Sequence, residues 1–187
     1  MVFNVGYLGK GKYKSKNKGK ITKVYYTWHS MIKRCYSENY QRKHITYIGI
    51  TVCSEWLNFQ NFAEWFEENY KEGFSLDKDI ICPDCKLYSP ETCCFVPQEI
   101  NSVVIKNKSI RGVLLIGVEK SHKKYKACIS KNSINVCLGY YDTELEAHLV
   151  YKDEKEKYIK ELANKWKGLI TCEVYNTLLT YTVSIDD

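Results

Sequence analysis

No apolar run in this chain approaches the roughly 18 residues that a membrane-spanning helix needs, and its start carries no hydrophobic stretch of the kind found in a secretory leader. The first absence excludes a helical span, and the two together lead us to expect a cytoplasmic protein with no membrane partner. In that compartment the nine cysteines are expected as reduced thiols rather than bridges. Acidic residues are missing altogether from residues 1–24, which carry lysines at 10, 12, 14, 16, 18, 20 and 23. Such a segment buries too little apolar surface to order itself and can neutralise phosphates. Residues 1–24 therefore read as a flexible basic arm, with a purely solubilising tail as the plainer alternative.

What is present is enough apolar material for a core, 44% of 187 residues, and a modest net charge of +6. That allows one or two small domains. Trp28, Met31, Ile32 and Cys35 recur at helical spacing with Lys33 and Arg34 on the other side, which predicts an amphipathic helix over residues 22–36. Residues 47–53 read as a short strand with a glycine bend. Trp56, Phe59, Phe62, Ala63 and Phe66 mark a second helix over about 55–70, its rings expected in the core.

Residues 116–151 read as three short strands and a helix. In the second strand Tyr125, Ala127 and Ile129 alternate with Lys124, Lys126 and Ser130, the period of a sheet with one buried face. Asp142, Thr143, Glu144 and Glu146 then look like a helix start with acidic residues where the helix dipole favours them. Ala147, Val150 and Tyr151 can cover the sheet, leaving Lys120, Lys124 and Lys126 on its other face. A small sheet presenting lysines suits a nucleic-acid groove, which admits a β-ribbon.

The pieces Ile116-Gly117-Val118, Tyr125-Lys126-Ala127-Cys128-Ile129, Leu138-Gly139-Tyr140-Tyr141-Asp142-Thr143-Glu144 and Glu146-Ala147 through Tyr151 resemble the AP2 DNA-binding domain, over about a fifth of the chain. The resemblance implies a three-stranded sheet entering the major groove of duplex DNA. It puts Glu119, Lys124, Lys126, Cys128, Ser130, Asn135 and Cys137 at contacting positions. Several arginines and tryptophans of the family are absent there, so the contacts it implies are mainly lysine to phosphate. With the flanking lysines the expected DNA-binding set is Lys120, Lys123, Lys124, Lys126, Ser130, Lys131 and Asn135.

A second resemblance covers about residues 28–101. Trp28, Met31 and Arg34-Cys35-Tyr36, then Gly49-Ile50, Val52-Cys53 and Trp56, then Leu76-Asp77 and Asp79, Tyr88-Ser89-Pro90-Glu91 and Asn101 resemble phage and mobile-element HNH proteins, often joined to an AP2 domain. That family holds one divalent metal on the scissile phosphate and uses a histidine to activate water. The resemblance makes Asp77, Asp79 and Asn101 the catalytic candidates, with Asp77 and Asn101 as ligands for a magnesium-type ion. Lys78 stands at the histidine position and Thr92 at the middle asparagine. A charged lysine has no acceptor, so chemistry by the usual route is not expected. Asp and Asn also serve as turn and cap residues. His44 is a replacement base only if it is more than a solvated loop histidine.

Cys82-Pro83-Asp84-Cys85 is a C-x-x-C knuckle, and with Cys53 or Cys93-Cys94 a zinc site is conceivable. No second C-x-x-C accompanies it, and Cys35, Cys53 and Cys94 read as small apolar residues. No cofactor is therefore expected beyond a divalent metal. The expected architecture is α+β, with a basic arm (1–24), an aromatic-rich HNH-like ββα-containing domain (25–105), an AP2-like three-stranded antiparallel sheet packed on a helix (106–168) and a C-terminal segment docking on the body (169–187). The expected function is that of a phage-type protein binding double-stranded DNA in the host cytoplasm. Two alternatives stand beside it: a metal-dependent HNH-type endonuclease or nickase, and a phage protein that binds and inhibits a host protein through acidic residues such as Glu64, Glu67 and Glu68.

Overall fold

The structure is a computed structural model, and it describes residues 1–104 and 114–185. The chain is α+β and forms two compact units, residues 1–95 and 96–187. The expected domain boundary at 105/106 and the basic stretch after it lie outside the described residues.

The first unit is built on two helices. Helix α1 (Lys23–Tyr36) buries Trp28, Met31, Ile32 and Cys35, with Thr22 as its N-cap. Helix α3 (Phe59–Asn69) buries Phe59, Phe62, Ala63 and Phe66 under an Asn58 cap. Between them lie the short helix α2 (Glu38–Gln41) and the strand β3 (Thr51–Val52), which pairs in parallel with β5 (Leu87–Tyr88). Strand β4 (Phe74–Asp77) pairs instead with β6 (Cys94–Pro97), inside which the division between the units falls. Trp28 and Trp56 are fully buried, and the indole of Trp28 donates to the carbonyl of Trp56 at 2.7 Å. A fully buried large side chain contributes on the order of 2–3 kcal/mol, so this aromatic set carries the unit.

Residues 1–24 were expected to form a flexible arm, yet residues 1–22 lie on the body and Lys23 and Val24 open α1. Tyr7 donates its backbone N–H to Leu57 and accepts from Phe59, both at 2.9 Å. The Gln60 side chain then acts as a surrogate peptide group: its carbonyl accepts from Tyr13 N–H at 3.0 Å, and its amide donates to the Tyr13 and Leu8 carbonyls at 3.0 and 3.1 Å. Glu67 accepts from the Tyr13 hydroxyl at 2.6 Å and pairs with Lys12 at 3.1 Å. Gly6 lets this chain pass the Trp28 ring, which a Cβ would meet at 2.9 Å. A two-stranded hairpin follows, β1 (Lys16–Asn17) with β2 (Lys20–Ile21), turning on Lys18 and Gly19. Both turn residues have positive φ, the geometry of the two-residue hairpin turn.

In the second unit β7 (Val118–Ser121), β8 (Lys124–Lys131) and β9 (Ile134–Tyr141) form an antiparallel sheet with β8 central. Helix α5 (Glu144–Lys165) opens on a complete capping box, Thr143 with Glu146, and covers one face of the sheet. Val118, Ala127 and Ala147 form the seam, flanked by Tyr125, Leu138 and Tyr141. Small residues on both sides let helix and sheet approach closely. The latter part of α5 packs against α4 (Gln98–Val104) and α6 (Cys172–Leu179). The C-terminal segment thus docks on α5, through buried Val174 and Leu178 and through Val183, whose N–H donates to Glu156 at 2.9 Å. Helix α4, expected in the first domain, groups with this unit, where Glu99 binds Lys165 at 2.7 Å.

Two substitutions test these supports. Gln60→Ala removes the surrogate peptide group, and a loss of about 1–2 kcal/mol of local stability should appear as faster amide exchange across residues 8–13, with the global transition nearly unchanged. Gly117 sits at φ +79° with its Cα against the Tyr151 ring, which an added Cβ would overlap. Gly117→Ala should cost roughly 2–4 kcal/mol in denaturant unfolding of the second unit.

Candidate nucleic-acid interface and the expected metal site

Register decides which sheet residues share a face. Ser121 pairs with Lys124, Glu119 with Lys126, and Val118 with Ala127. On the far side Lys126 pairs with Tyr140, Cys128 with Cys137 and Ser130 with Asn135. The face away from α5 therefore carries Glu119, Ser121, Lys124, Lys126, Cys128, Ser130, Asn135, Cys137 and Tyr140, none of them buried. A bulge between Ala127 and Cys128 sets Leu138 out of register. It turns Tyr141 toward the helix side and Tyr140 to the bare face, an assignment that plain alternation from Asn135 would reverse.

Lys120, expected on the bare face, pairs with Tyr125 and lies on the helix side, its ammonium 3.6 Å from the centre of the Tyr125 ring. Lys131 ends the same inner row, bound to Glu154 at 2.5 Å and over the Tyr158 ring at 4.8 Å. In both cases a lysine closes an apolar row by laying its stem on an aromatic ring. Lys123 lies exposed in the β7–β8 turn. The bare face is not simply basic. Lys126 pairs with Glu119 at 3.1 Å and Lys124 with Asp142 at 3.2 Å. Cys128 and Glu119 beside it hold the Lys126 ammonium above its ordinary pKa.

The candidate metal residues have other partners. One oxygen of Asp77 accepts from the backbone N–H groups of Asp79 and Ile80, both at 2.8 Å, so Asp77 closes a turn. Desolvation raises its pKa against the pull of those two N–H groups. Lys78, at the histidine position, is buried, with its ammonium on the Asp79 carboxylate and on the Cys85 carbonyl at 2.9 Å. Asn101 lies in α4, in the second unit. Thr92, at the middle asparagine position, ties its own turn by donating to the Leu87 carbonyl at 2.8 Å and accepting from Ser89 N–H at 3.1 Å. His44 is exposed and stacked on Tyr40, ring centres 4.3 Å apart.

Cys82 and Cys85 are joined as a disulfide, where reduced thiols were expected. In that form neither sulfur is the thiolate that a zinc ion takes. Burial pushes the Cys93 and Cys35 thiols up to about 12, which favours apolar packing over ligation. Among the described residues no three His, Cys, Asp or Glu side chains gather where they could hold a metal ion. No described helix is long and apolar enough to cross a membrane.

Compared with family models, curated proteins and solved structures, the chain matches none of them. Sequence reasoning missed two participants in the bare face, Asp142 and Tyr140. Asp142 stood in the sequence as a helix-start acid directly after the third strand, and the register of Tyr141 with Tyr125 brings it to Lys124.

Asp77→Asn keeps the acceptor for the two N–H groups and removes a charge that desolvation disfavours. Because the folded pKa of Asp77 is raised, its contribution to stability is full below the unfolded pKa and is lost as pH rises through the folded one. At neutral pH Asp77→Asn should therefore leave stability unchanged or raise it by up to about 1 kcal/mol, whereas Asp77→Ala should lower it by about 1–2 kcal/mol. Paired denaturation curves check this, and a purely metal-binding Asp77 would show no such split.

Proposed function

We propose that the chain binds duplex DNA through the bare face of β7–β8–β9, reading backbone geometry more than sequence, and that the first unit serves as a scaffold without HNH-type cleavage. The observation that carries the reading is a three-stranded sheet with one side sealed by α5 and the other polar, unburied and furnished with lysine, serine, asparagine and tyrosine. Such a ribbon fits the major groove, where phosphates flank the strands. The resemblance to AP2 domains supports the same placement, and with it a phage or mobile-element setting.

The carboxylates on this face do not block it. Exposed ion pairs are worth about 0–1 kcal/mol, so phosphates can take Lys126 from Glu119 and Lys124 from Asp142 at small cost. Cleavage is disfavoured because Lys78 is engaged with Asp79 and the Cys85 carbonyl, and Asp77 with two backbone donors.

Duplex binding across a salt series, with magnesium present and the DNA recovered on a gel, tests the proposal. Replacing Lys124 and Lys126 together by Gln should make the slope of log affinity against log salt shallower by roughly 2, since each phosphate contact contributes about 0.9. Replacing Lys120 and Lys131, which lie on the helix side, should leave the slope unchanged. An unaltered slope for the first pair would overturn the sheet assignment. DNA cut in a manner that depends on Asp77 would replace the scaffold reading with a metal nuclease.

A further inference from the structure

The lysines of the sheet and those of the N-terminal hairpin stand in opposite electrostatic states. Lys124, Lys126 and Lys131 each bind a carboxylate. In the N-terminal segment only Lys12 does, on Glu67. Lys10, Lys14, Lys16, Lys18, Lys20 and Lys23 are exposed, and among the described residues no carboxylate lies in ion-pair reach of any of them. We infer that this hairpin is a second nucleic-acid contact surface, one that binds the phosphodiester backbone and is separate from the sheet.

Three features point to a built surface rather than a solubilising tail. The segment is pinned where a tail would be loose: Gln60 and Glu67 hold Tyr13, while Thr22 donates its hydroxyl to the Lys14 carbonyl at 3.0 Å and its N–H to Ser15 at 3.0 Å. The turn residue Lys18 adopts φ +47°, a left-handed conformation that glycine, asparagine and aspartate take more readily. That places a cation at the tip of the ribbon in spite of the backbone preference. Helix α1 starts directly behind the hairpin with no acidic residue in its first turn, so the positive end of its dipole adds to the same potential.

The occupant follows from charge and shape. Lys16, Lys18 and Lys20 on the narrow ribbon, flanked in the chain by Lys10, Lys14 and Lys23 and with no carboxylate among them, complement a line of regularly spaced single negative charges. A phosphodiester backbone is such a line, and lysine contacts to it release counterions. Lysine as a point charge makes no demand on base identity, so the contact is sequence-tolerant. The inference stands independently of the sheet, because it rests on residues of the other unit.

The full chain is compared with a variant carrying Lys14→Gln, Lys16→Gln, Lys18→Gln and Lys20→Gln, using fluorescent random-sequence duplex and single-stranded DNA over a salt series. The expected result is at least about tenfold weaker binding at low salt and a slope shallower by about 3.5 on duplex DNA. The matching Lys→Arg variant should bind as the parent does, which separates charge from folding. Loss in the Arg variant too would overturn the inference. So would an unchanged slope in the Gln variant, no binding of either DNA by the parent, or hairpin-dependent binding to anionic vesicles alone. A slope lost only when Lys124 and Lys126 are replaced would overturn this surface and leave the sheet proposal standing. A slope lost only with the hairpin lysines would do the reverse.

Discussion

A β-strand can offer only alternate residues to either side, and in the second unit α5 fixes which set is inside. Tyr125, Ala127 and Ile129 are drawn to the helix by the seam of Val118, Ala127 and Ala147. Once they are committed, everything on the opposite side is determined by register. Lys126 must then face Glu119 and Tyr140, and Lys120 must share its side with Tyr125. The composition of the proposed DNA-binding face is thus set by packing on the other side of the sheet.

The first unit follows a different logic. Its aromatic core is closed by side chains that substitute for secondary structure. Gln60 supplies the acceptor and donors that a neighbouring strand would, and Asp77 does the same for a turn. Such surrogates let a chain with few and short strands satisfy its backbone polar groups. They also engage charged side chains: Asp77 holds two backbone N–H groups, and Lys78 holds Asp79 and the Cys85 carbonyl.

Much of the fold was legible in the sequence because period and caps are local signals. Helix α1 was expected over residues 22–36 and runs over Lys23–Tyr36 behind its Thr22 cap, and the three strands and the start of α5 fall within the expected residues 116–151. What was not legible depended on partners distant in the chain. A lysine-rich stretch carries no mark saying that Gln60, 47 residues from Tyr13, will hold it. The bulge that exchanges Tyr140 and Tyr141 depends on pairing between strands, and neither strand alone announces it. Lys120 departs from the expected side for a related reason: a charged residue reads as outward, whereas at the end of an inner row a long side chain escapes along an aromatic ring. A turn role for Asp77 was among the expectations, and its carboxylate does accept from the Asp79 and Ile80 N–H groups.

Helix α5 has a consequence for modularity. Its 22 residues span about 33 Å, and the sheet reaches along it as far as Glu154 and Tyr158, which Lys131 meets. The remainder carries Ile159, Leu162 and Ala163, which are buried, and packs against α4 and α6. Sheet and flanking helices are therefore not separable tenants of one strut. A segment cut from the chain at residues 106–168 would keep every strand of the sheet and still lack α4, together with α6, whose Val174 and Leu178 belong to the same core. The autonomous piece is larger than the sheet-and-helix pattern that the sequence advertises, and its far end matters as much to independent folding as its strands do.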